Sequence, residues 1–364
     1  MRYAKLGNTG LIVSRLAFGA MTFTAGDRRM KSIFKTEPAV ANALVGRALD
    51  AGINFFDTAD IYAFGQSEQI LGAALKGRRD EVVIATKAGV RSGANLLRAG
   101  LSRRHIQWSV DQSLKRLGTD WIDVYIAHKD DVFTPIEETL AALDAVVQAG
   151  KVRYIGFSNW PAWKVAASME IQKANNLAPF THGQMYYSLV GRDVEYEIIP
   201  MMKRYGLGLT VWSPLASGFL AGKYNRENMA DPENRLSGFD GPPFDRELGF
   251  QLVERMRAMA ADHGAPVSQI ALAWLLAKND VTSVILGASK LDQLEDNLGA
   301  VDLVLAPAEL AELNGAIRSP EIYPHWLTKS MTDIMTAEAL ERKLNTATCV
   351  PGDRQGIDGV SPSQ

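Results

Sequence analysis

Five stretches of this chain run as short apolar strands and then stop on a polar or charged residue. Residues 53–57 (INFFD) end on Asp57, residues 82–87 (VVIATK) on Lys87 and residues 122–128 (IDVYIAH) on His128. Residues 152–157 are followed by Ser158 and Asn159, and residues 209–212 by Ser213. A continuous apolar run is what a strand buried on both faces requires. When parallel strands of this kind close into a β/α barrel, their C-terminal ends meet on one rim, and that rim carries the active site. The pattern predicts an α/β chain folded as a (β/α)8 TIM barrel with its chemistry at one end.

The rest of the chain fits that expectation. Strand and helix patterns alternate at intervals of roughly 25–40 residues without an internal repeat, and each parallel crossover needs a helix. Ser67, Ser102 and the Thr134-Pro135-Ile136-Glu137 capping box read as helix starts, while Gly77, Gly118 and Gly150 read as stops. Helices are expected over residues 162–176 and 195–205, and strands near 182–186, 207–212 and 281–286. With residues 15–21 as the first strand the count reaches eight, which needs about 250 residues. The surplus is assigned to a hairpin over residues 5–13, whose Gly7, Asn8 and Gly10 supply the turn, and to long rim loops. Residues 224–244, rich in Gly, Pro, Asp and Asn, are a candidate lid. Helical patterns return at residues 290–299, 307–318 and 332–345. Residues 1–345 read as a single domain, and residues 346–364 have the composition of a flexible tail.

Composition narrows the function classes. The 364 residues are 47% hydrophobic and carry a net charge of −2, which offers no polyanion or membrane-surface attraction. The N-terminal residues lack the apolar core of a signal peptide and no apolar run is long enough to span a bilayer, so a cytoplasmic enzyme is expected. One cysteine, Cys349, and five scattered histidines support neither an internal disulfide nor a metal cluster. The composition says nothing of oligomeric state.

Six separated motifs then carry a resemblance. Phe56-Asp57-Thr58-Ala59-Asp60-Ile61-Tyr62, Thr86-Lys87, His128, Gly156-Phe157-Ser158-Asn159, Trp212-Ser213-Pro214-Leu215-Ala216-Ser217-Gly218 and Gly287-Ala288-Ser289-Lys290 occur in this order. Together they make nearly the whole chain similar to the aldo-keto reductases. The resemblance implies NADPH-dependent reduction of a small-molecule aldehyde or ketone, reversible to alcohol oxidation, on a barrel that binds its cofactor without a Gly-rich Rossmann turn. No Gly-x-Gly-x-x-Gly is present.

Asp57, Tyr62, Lys87 and His128 suit that chemistry on their own terms. Carbonyl reduction needs a hydride for carbon and a proton for the developing alkoxide. A phenol with an ordinary pKa of about 10 is too weak an acid alone. A lysine ammonium beside it favours the phenolate, and a carboxylate keeps that lysine charged and in place. Tyr62 is then the acid, Lys87 and Asp57 its support, and His128 a donor that orients the carbonyl oxygen. The same residue types also serve as an ordinary salt bridge, a packed loop tyrosine and a hydrogen-bonded histidine.

A nicotinamide wants an aromatic platform and amide or hydroxyl partners. Trp212 offers the platform, and Ser158, Asn159 and Gln184 match the family positions that hold the carboxamide. Ser213, Leu215 and Ser217 resemble the pyrophosphate loop, with Lys223 within reach of a phosphate and Arg235 a weaker candidate. Gly287, Ser289, Lys290, Gln293 and Asn297 resemble the adenosine segment at the start of a helix whose N-terminus favours anions. Lys290 tips the choice to NADP(H) over NAD(H), because an NAD site more often sets a carboxylate on the ribose. Asp296 is a further candidate for the adenine amine.

Met21, Phe23, Trp160 and Tyr187 are candidate pocket walls, with His325 and Trp326 as a possible cover, although each also reads as packing. The Arg28-Arg29 pair reads as a solvated loop. Two other functions stay open. The cofactor motifs also resemble potassium-channel β-subunits, NADPH-binding regulatory partners that depart at the histidine position. The same residues would equally support physiological oxidation of an alcohol or sugar.

Overall fold

The computed structural model describes residues 1–27, 30–228, 236, 241–317 and 322–340. Residues 1–317 form one compact unit and residues 318–364 a second. The first opens with an antiparallel pair, β1 (Tyr3–Lys5) and β2 (Ile12–Ser14). Eight parallel strands follow and close on themselves: β3 (Leu16–Gly19), β4 (Phe55–Asp57), β5 (Val83–Ala88), β6 (Ile122–Ala127), β7 (Val152–Ser158), β8 (Phe180–Tyr186), β9 (Gly208–Trp212) and β10 (Val281–Gly287). The crossovers carry α1 (Pro38–Asp50), α2 (Gln66–Ala74), α3 (Arg103–Leu117), α4 (Ile136–Gln148), α5 (Ala162–Ala174), α6 (Ile198–Tyr205), α7 (Arg246–His263) and α8 (Val267–Leu276). After the last strand come α9 (Leu291–Leu298) and α10 (Pro307–Ala316). The (β/α)8 barrel with an N-terminal hairpin is therefore the fold.

Strand parity builds two cores. Phe56, Ile84, Tyr125, Ile155, Val211 and Val284 point outward into the layer between strands and helices. Their neighbours Phe55, Val83, Ala85, Val124, Ile126 and Ile285 fill the barrel interior, where Leu6 and Val13 of the hairpin join them. The hairpin thus plugs the N-terminal mouth. Gly7 is required for this: its φ is +60°, and a Cβ there would lie 2.2 Å from the Thr181 carbonyl oxygen. The interior apolar layers end toward the other mouth, and the next inward positions on β4, β5 and β6 are Asp57, Lys87 and His128.

Several sequence expectations shift. The first barrel strand stops at Gly19, short of residue 21, because residues 22–24 turn away to pair with Thr36. Ser102 caps α3 as expected, accepting from the His105 N–H at 3.3 Å, and Gly118 closes it with φ +66°. Ser67 does not open α2; the helix starts at Gln66 after a left-handed Gly65, and the buried Ser67 hydroxyl donates to the Ala20 carbonyl. The box at Thr134 does not form either. Pro135 takes the N-cap position of α4, and the Thr134 hydroxyl donates to Asp131 at 2.6 Å. Asp131 also accepts from the Leu101 and Phe133 N–H groups, so it outcompetes the helix end for that hydroxyl. Helices α1, α7 and α8 carry no sequence expectation; α8 is apolar on nearly all sides and gives no 3.6-residue contrast.

In the second unit, helices cover His325–Ser330 and Ile334–Ala339. The expected tail at residues 346–364, residues 341–345 of the last predicted helix, and most of the candidate lid (residues 229–235 and 237–240) lie outside the described residues.

Candidate active site

Asp57 closes β4 and Lys87 lies near the end of β5, both aimed inward by strand parity and both almost completely buried. Lys87 Nζ donates to Asp57 Oδ1 at 2.6 Å and to the Thr58 carbonyl at 2.7 Å, and lies 3.3 Å from the Tyr62 hydroxyl. The second Asp57 oxygen accepts from Gln184 Nε2 at 2.8 Å. Burial opposes the lysine charge, but Asp57, then Tyr62, outweighs it and holds the Lys87 pKa above the ordinary lysine value. The ammonium therefore stays charged inside the barrel mouth.

Tyr62 begins a turn after β4 and stays half-buried, with its ring edge-on to His128 at 5.8 Å between centroids. His128 follows β6. Burial, with Lys87 adding to it, pushes its pKa down to about 3, so the imidazole is neutral at physiological pH. Its Nδ1 is buried without a partner, which leaves Nε2 as the nitrogen able to meet a ligand. The four residues singled out as catalytic thus converge on one point of the rim.

The expected nicotinamide residues are also brought together. Asn159 adopts φ +57°, a left-handed conformation that asparagine tolerates. Its amide donates to the His128 carbonyl at 3.0 Å and to Ser158 Oγ at 2.9 Å, and its oxygen accepts from Trp212 Nε1 at 3.1 Å. Ser158 Oγ in turn donates to the Gln184 carbonyl at 2.7 Å. Trp212 is half-buried and packs on Tyr186 at 5.2 Å, so an indole platform is held in place beside the tetrad. Tyr186 was not among the sequence candidates; the inward parity of Gln184 two residues earlier is the signal that finds it.

After β9 the chain turns through left-handed Ser213 (φ +51°), Ala216 (φ +46°), Ser217 (φ +59°) and Gly218. Such conformations cost about 1–3 kcal/mol at each non-glycine residue and are held only where the surroundings over-determine them. Ser213 Oγ accepts from the Ser217 N–H at 3.0 Å, and the Leu215 carbonyl from the Gly218 N–H at 2.9 Å. Turns that mix left- and right-handed residues form concave sets of N–H groups suited to anions. Lys223 lies across this loop, where a Cβ on Gly218 would come 3.3 Å from its Nζ.

At the end of β10, Gly287 and Lys290 are exposed and Lys290 is the N-cap of α9. The Ser289 N–H and hydroxyl both donate to Gln293 Oε1, at 3.1 and 3.2 Å, which sets the loop against the helix start. Asn297 is buried on α9, and the Asp296 carbonyl accepts from Gln269. This donor set, an aromatic platform, an N–H-rich turn with a lysine and a lysine at a helix N-terminus, fits a nicotinamide dinucleotide.

The substrate-wall expectations need correction. Phe23 is buried against Phe18, Trp160 against Phe180, and Tyr187 against Trp274 with its hydroxyl donating to Glu195 at 2.5 Å. All three are core residues, because the apolar space behind the strands is the larger sink for an aromatic ring. Met21 alone stays half-buried, next to Ala63 in the Tyr62 turn. His325 and Trp326 belong to the second unit, and Arg28, Arg29 and Arg235 lie outside the described residues. Among the described residues, no helix is long and apolar enough to cross a membrane.

Comparison with known proteins agrees with this geometry. The sequence profile of the Aldo/keto reductase family matches residues 15–318, the whole barrel. A probable voltage-gated potassium channel subunit beta from Oryza sativa subsp. japonica is 36% identical over 329 residues, 88% of this chain and 97% of that protein. Probable aldo-keto reductase 1 of Glycine max is 34% identical over 317 residues, 86% of this chain and 88% of that protein. Versiconal hemiacetal acetate reductase of Aspergillus parasiticus is 33% identical over 345 residues, 89% of this chain and 99% of that protein. The chain belongs to the aldo/keto reductase family of oxidoreductases.

Proposed function

We propose that this protein reduces the carbonyl group of a small aldehyde or ketone to an alcohol with NADPH, reversibly, and that Tyr62 supplies the proton. The observation that carries the reading is the Lys87 ammonium, fixed by Asp57 at 2.6 Å and set 3.3 Å from the Tyr62 hydroxyl beside a neutral His128. Bound at this rim, the nicotinamide would supply the hydride to the carbonyl carbon. Tyr62 donates its proton to the developing alkoxide, and Lys87 stabilises the phenolate left behind. His128 Nε2–H orients the carbonyl oxygen, which a neutral imidazole does without adding a second buried charge. In alcohol oxidation the same groups act in reverse, with the phenolate as base.

Trp212, Ser158, Asn159 and Gln184 are assigned to the nicotinamide, and Ser213, Leu215, Ser217 and Lys223 to the pyrophosphate. Gly287, Ser289, Lys290, Gln293 and Asn297 are assigned to the adenosine end. Lys290 supports NADP(H), since a cation at a helix N-terminus suits a 2′-phosphate. The near-neutral charge and the absence of a long apolar helix among the described residues are compatible with action in the cytoplasm. Fluorescence titration of the protein with NADPH and NADH, followed by an absorbance screen over aldehydes, ketones and sugar alcohols, tests the proposal. Tight NADPH binding with turnover supports it, and no nicotinamide binding would overturn it.

A second reading, an NADP(H)-binding regulatory partner, draws on the rice relative named as a channel subunit. It predicts binding without turnover. His128 beside Tyr62 favours the enzyme.

A further inference from the structure

The turn that presents Tyr62 is an improbable piece of backbone. Ala63, Phe64 and Gly65 are left-handed in succession, with φ of +45°, +54° and +91°. The first two should cost about 1–3 kcal/mol each unless neighbouring contacts enforce them. Those contacts come from the three residues that follow the turn. Gln66 Oε1 accepts from the Ala25 N–H at 2.7 Å and the Thr24 hydroxyl at 3.1 Å. Ser67 Oγ donates to the Ala20 carbonyl at 2.7 Å and lies 2.8 Å from Thr58 Oγ1. Glu68, wholly buried, accepts from Thr86 Oγ1 and from Arg116 Nε, each at 2.6 Å. The Arg116 stem also fills the space of the missing Gly65 side chain, where a Cβ would lie 2.6 Å from its Cδ.

Asp60 completes the cluster. Its N–H donates to the Lys87 carbonyl at 3.1 Å, and its carboxyl is buried with Oδ1 unpartnered. Burial, then Glu68, pushes its pKa up to about 8 against the pull of Arg116 and Lys87. Glu68 takes the Arg116 guanidinium at 2.6 Å, and Asp60 stays protonated at neutral pH beside that pair. Thr86 and Lys87 are consecutive on β5 and point to opposite faces, Thr86 to Glu68 and Lys87 to Tyr62.

We propose that Glu68, gripped between Thr86 and Arg116, is a positioning residue that sets the Tyr62 hydroxyl against Lys87. The inference rests on the reading of Tyr62 as proton donor. A buried charge-assisted link from α2 to the strand residue next to Lys87 limits how far the Tyr62 turn can slide along the rim, and small misplacements of a reacting group are costly.

The test compares wild type, Glu68→Ala and Thr86→Val for turnover of a carbonyl substrate at saturating NADPH, for NADPH affinity by fluorescence titration, and for the pH profile of kcat. For Glu68→Ala, kcat should fall by about 10–100-fold with KM and NADPH affinity within about twofold of wild type. The titration assigned to Tyr62 should move to higher pH, because a displaced phenol loses the ammonium. Thr86→Val removes one hydroxyl with no change in bulk and should show the same split, lowering kcat about tenfold; it decides the matter if Glu68→Ala fails to fold. Unchanged kcat, or kcat and NADPH affinity falling together, would overturn the proposal while leaving the reductase reading intact. A wild-type protein that binds NADPH without turnover would sink both.

Discussion

The Lys87 ammonium stands 3.3 Å from the Tyr62 hydroxyl and 4.9 Å from the centre of the same ring, so a single charge addresses both the oxygen and the π-face of the phenol. Asp57 on the far side fixes that charge, and Gln184 fixes Asp57. The site is a chain of supports in which each group is oriented by the next.

Tyr62→Phe keeps the ring that packs edge-on to His128 and removes only the hydroxyl. We expect kcat to fall by about 10²–10⁴-fold, the usual worth of a placed general acid, with NADPH affinity retained. Steady-state kinetics alongside fluorescence titration measures both, and activity within tenfold of wild type would take Tyr62 out of the acid role.

Lys87 and Asp57 form a buried pair, so removing either leaves the other as an uncompensated charge. Lys87→Met or Asp57→Asn should destabilise the fold by about 3–5 kcal/mol and abolish turnover, whereas Asp57→Asn/Lys87→Met together should recover stability but not activity. Urea unfolding of the three variants checks this. Additive losses would mean that the pair is not coupled.

Lys290→Glu places an acid at the N-cap of α9. NADPH affinity should fall by at least about tenfold, the loss of one charge-assisted contact, while NADH affinity changes little. Equal weakening of both cofactors would move the 2′-phosphate site elsewhere.

His182 lies in the barrel interior beneath the site, and its ring occupies the space above Gly156, where a Cβ would meet Cε1 at 2.2 Å. Gly156→Ala should therefore be destabilising by about 1–3 kcal/mol or more, an effect relieved in Gly156→Ala/His182→Ala. Burial, with Lys87 adding to it, also pushes the His182 pKa down to about 3. The unfolded chain then binds a proton near pH 6.5 that the folded protein refuses. The stability associated with neutral His182 is present above that pH and is lost as pH falls toward 3, with a slope of up to about 1.4 kcal/mol per pH unit. Asp60, raised to about 8, acts in the opposite sense, because its protonated form belongs to the fold and is lost as pH rises toward 8. Comparing the pH dependence of urea unfolding between wild type and His182→Gln isolates the histidine: the variant should be less sensitive between pH 6.5 and pH 4, and an unchanged slope would refute the assignment.

Much of this protein was legible in the chain. Predominantly apolar runs ending on Asp57, Lys87, His128, Ser158 and Ser213 wrote a parallel barrel with one polar rim, since strands buried on both faces tolerate a charge only near the ends where they emerge. Strand period two then aimed Asp57 and Lys87 inward, as it aimed Phe55 and Ala85. The sequence did not reveal that Ser67 spends its hydroxyl on the Ala20 carbonyl, a partner that becomes a neighbour only when the chain folds, nor that Thr134 turns to nearby Asp131, whose carboxylate is fixed there by the Leu101 and Phe133 N–H groups. Nor did it show that Phe23, Trp160 and Tyr187 pack behind the strands. The grip of Thr86 and Arg116 on Glu68 joins β5, α3 and α2, elements separated by 18 to 48 residues, and has no local periodicity to betray it. Local pattern determined which residues reach the rim; tertiary structure alone decided which buried groups meet there, because hydrogen bonds and ion pairs depend on distances that only the closed barrel sets.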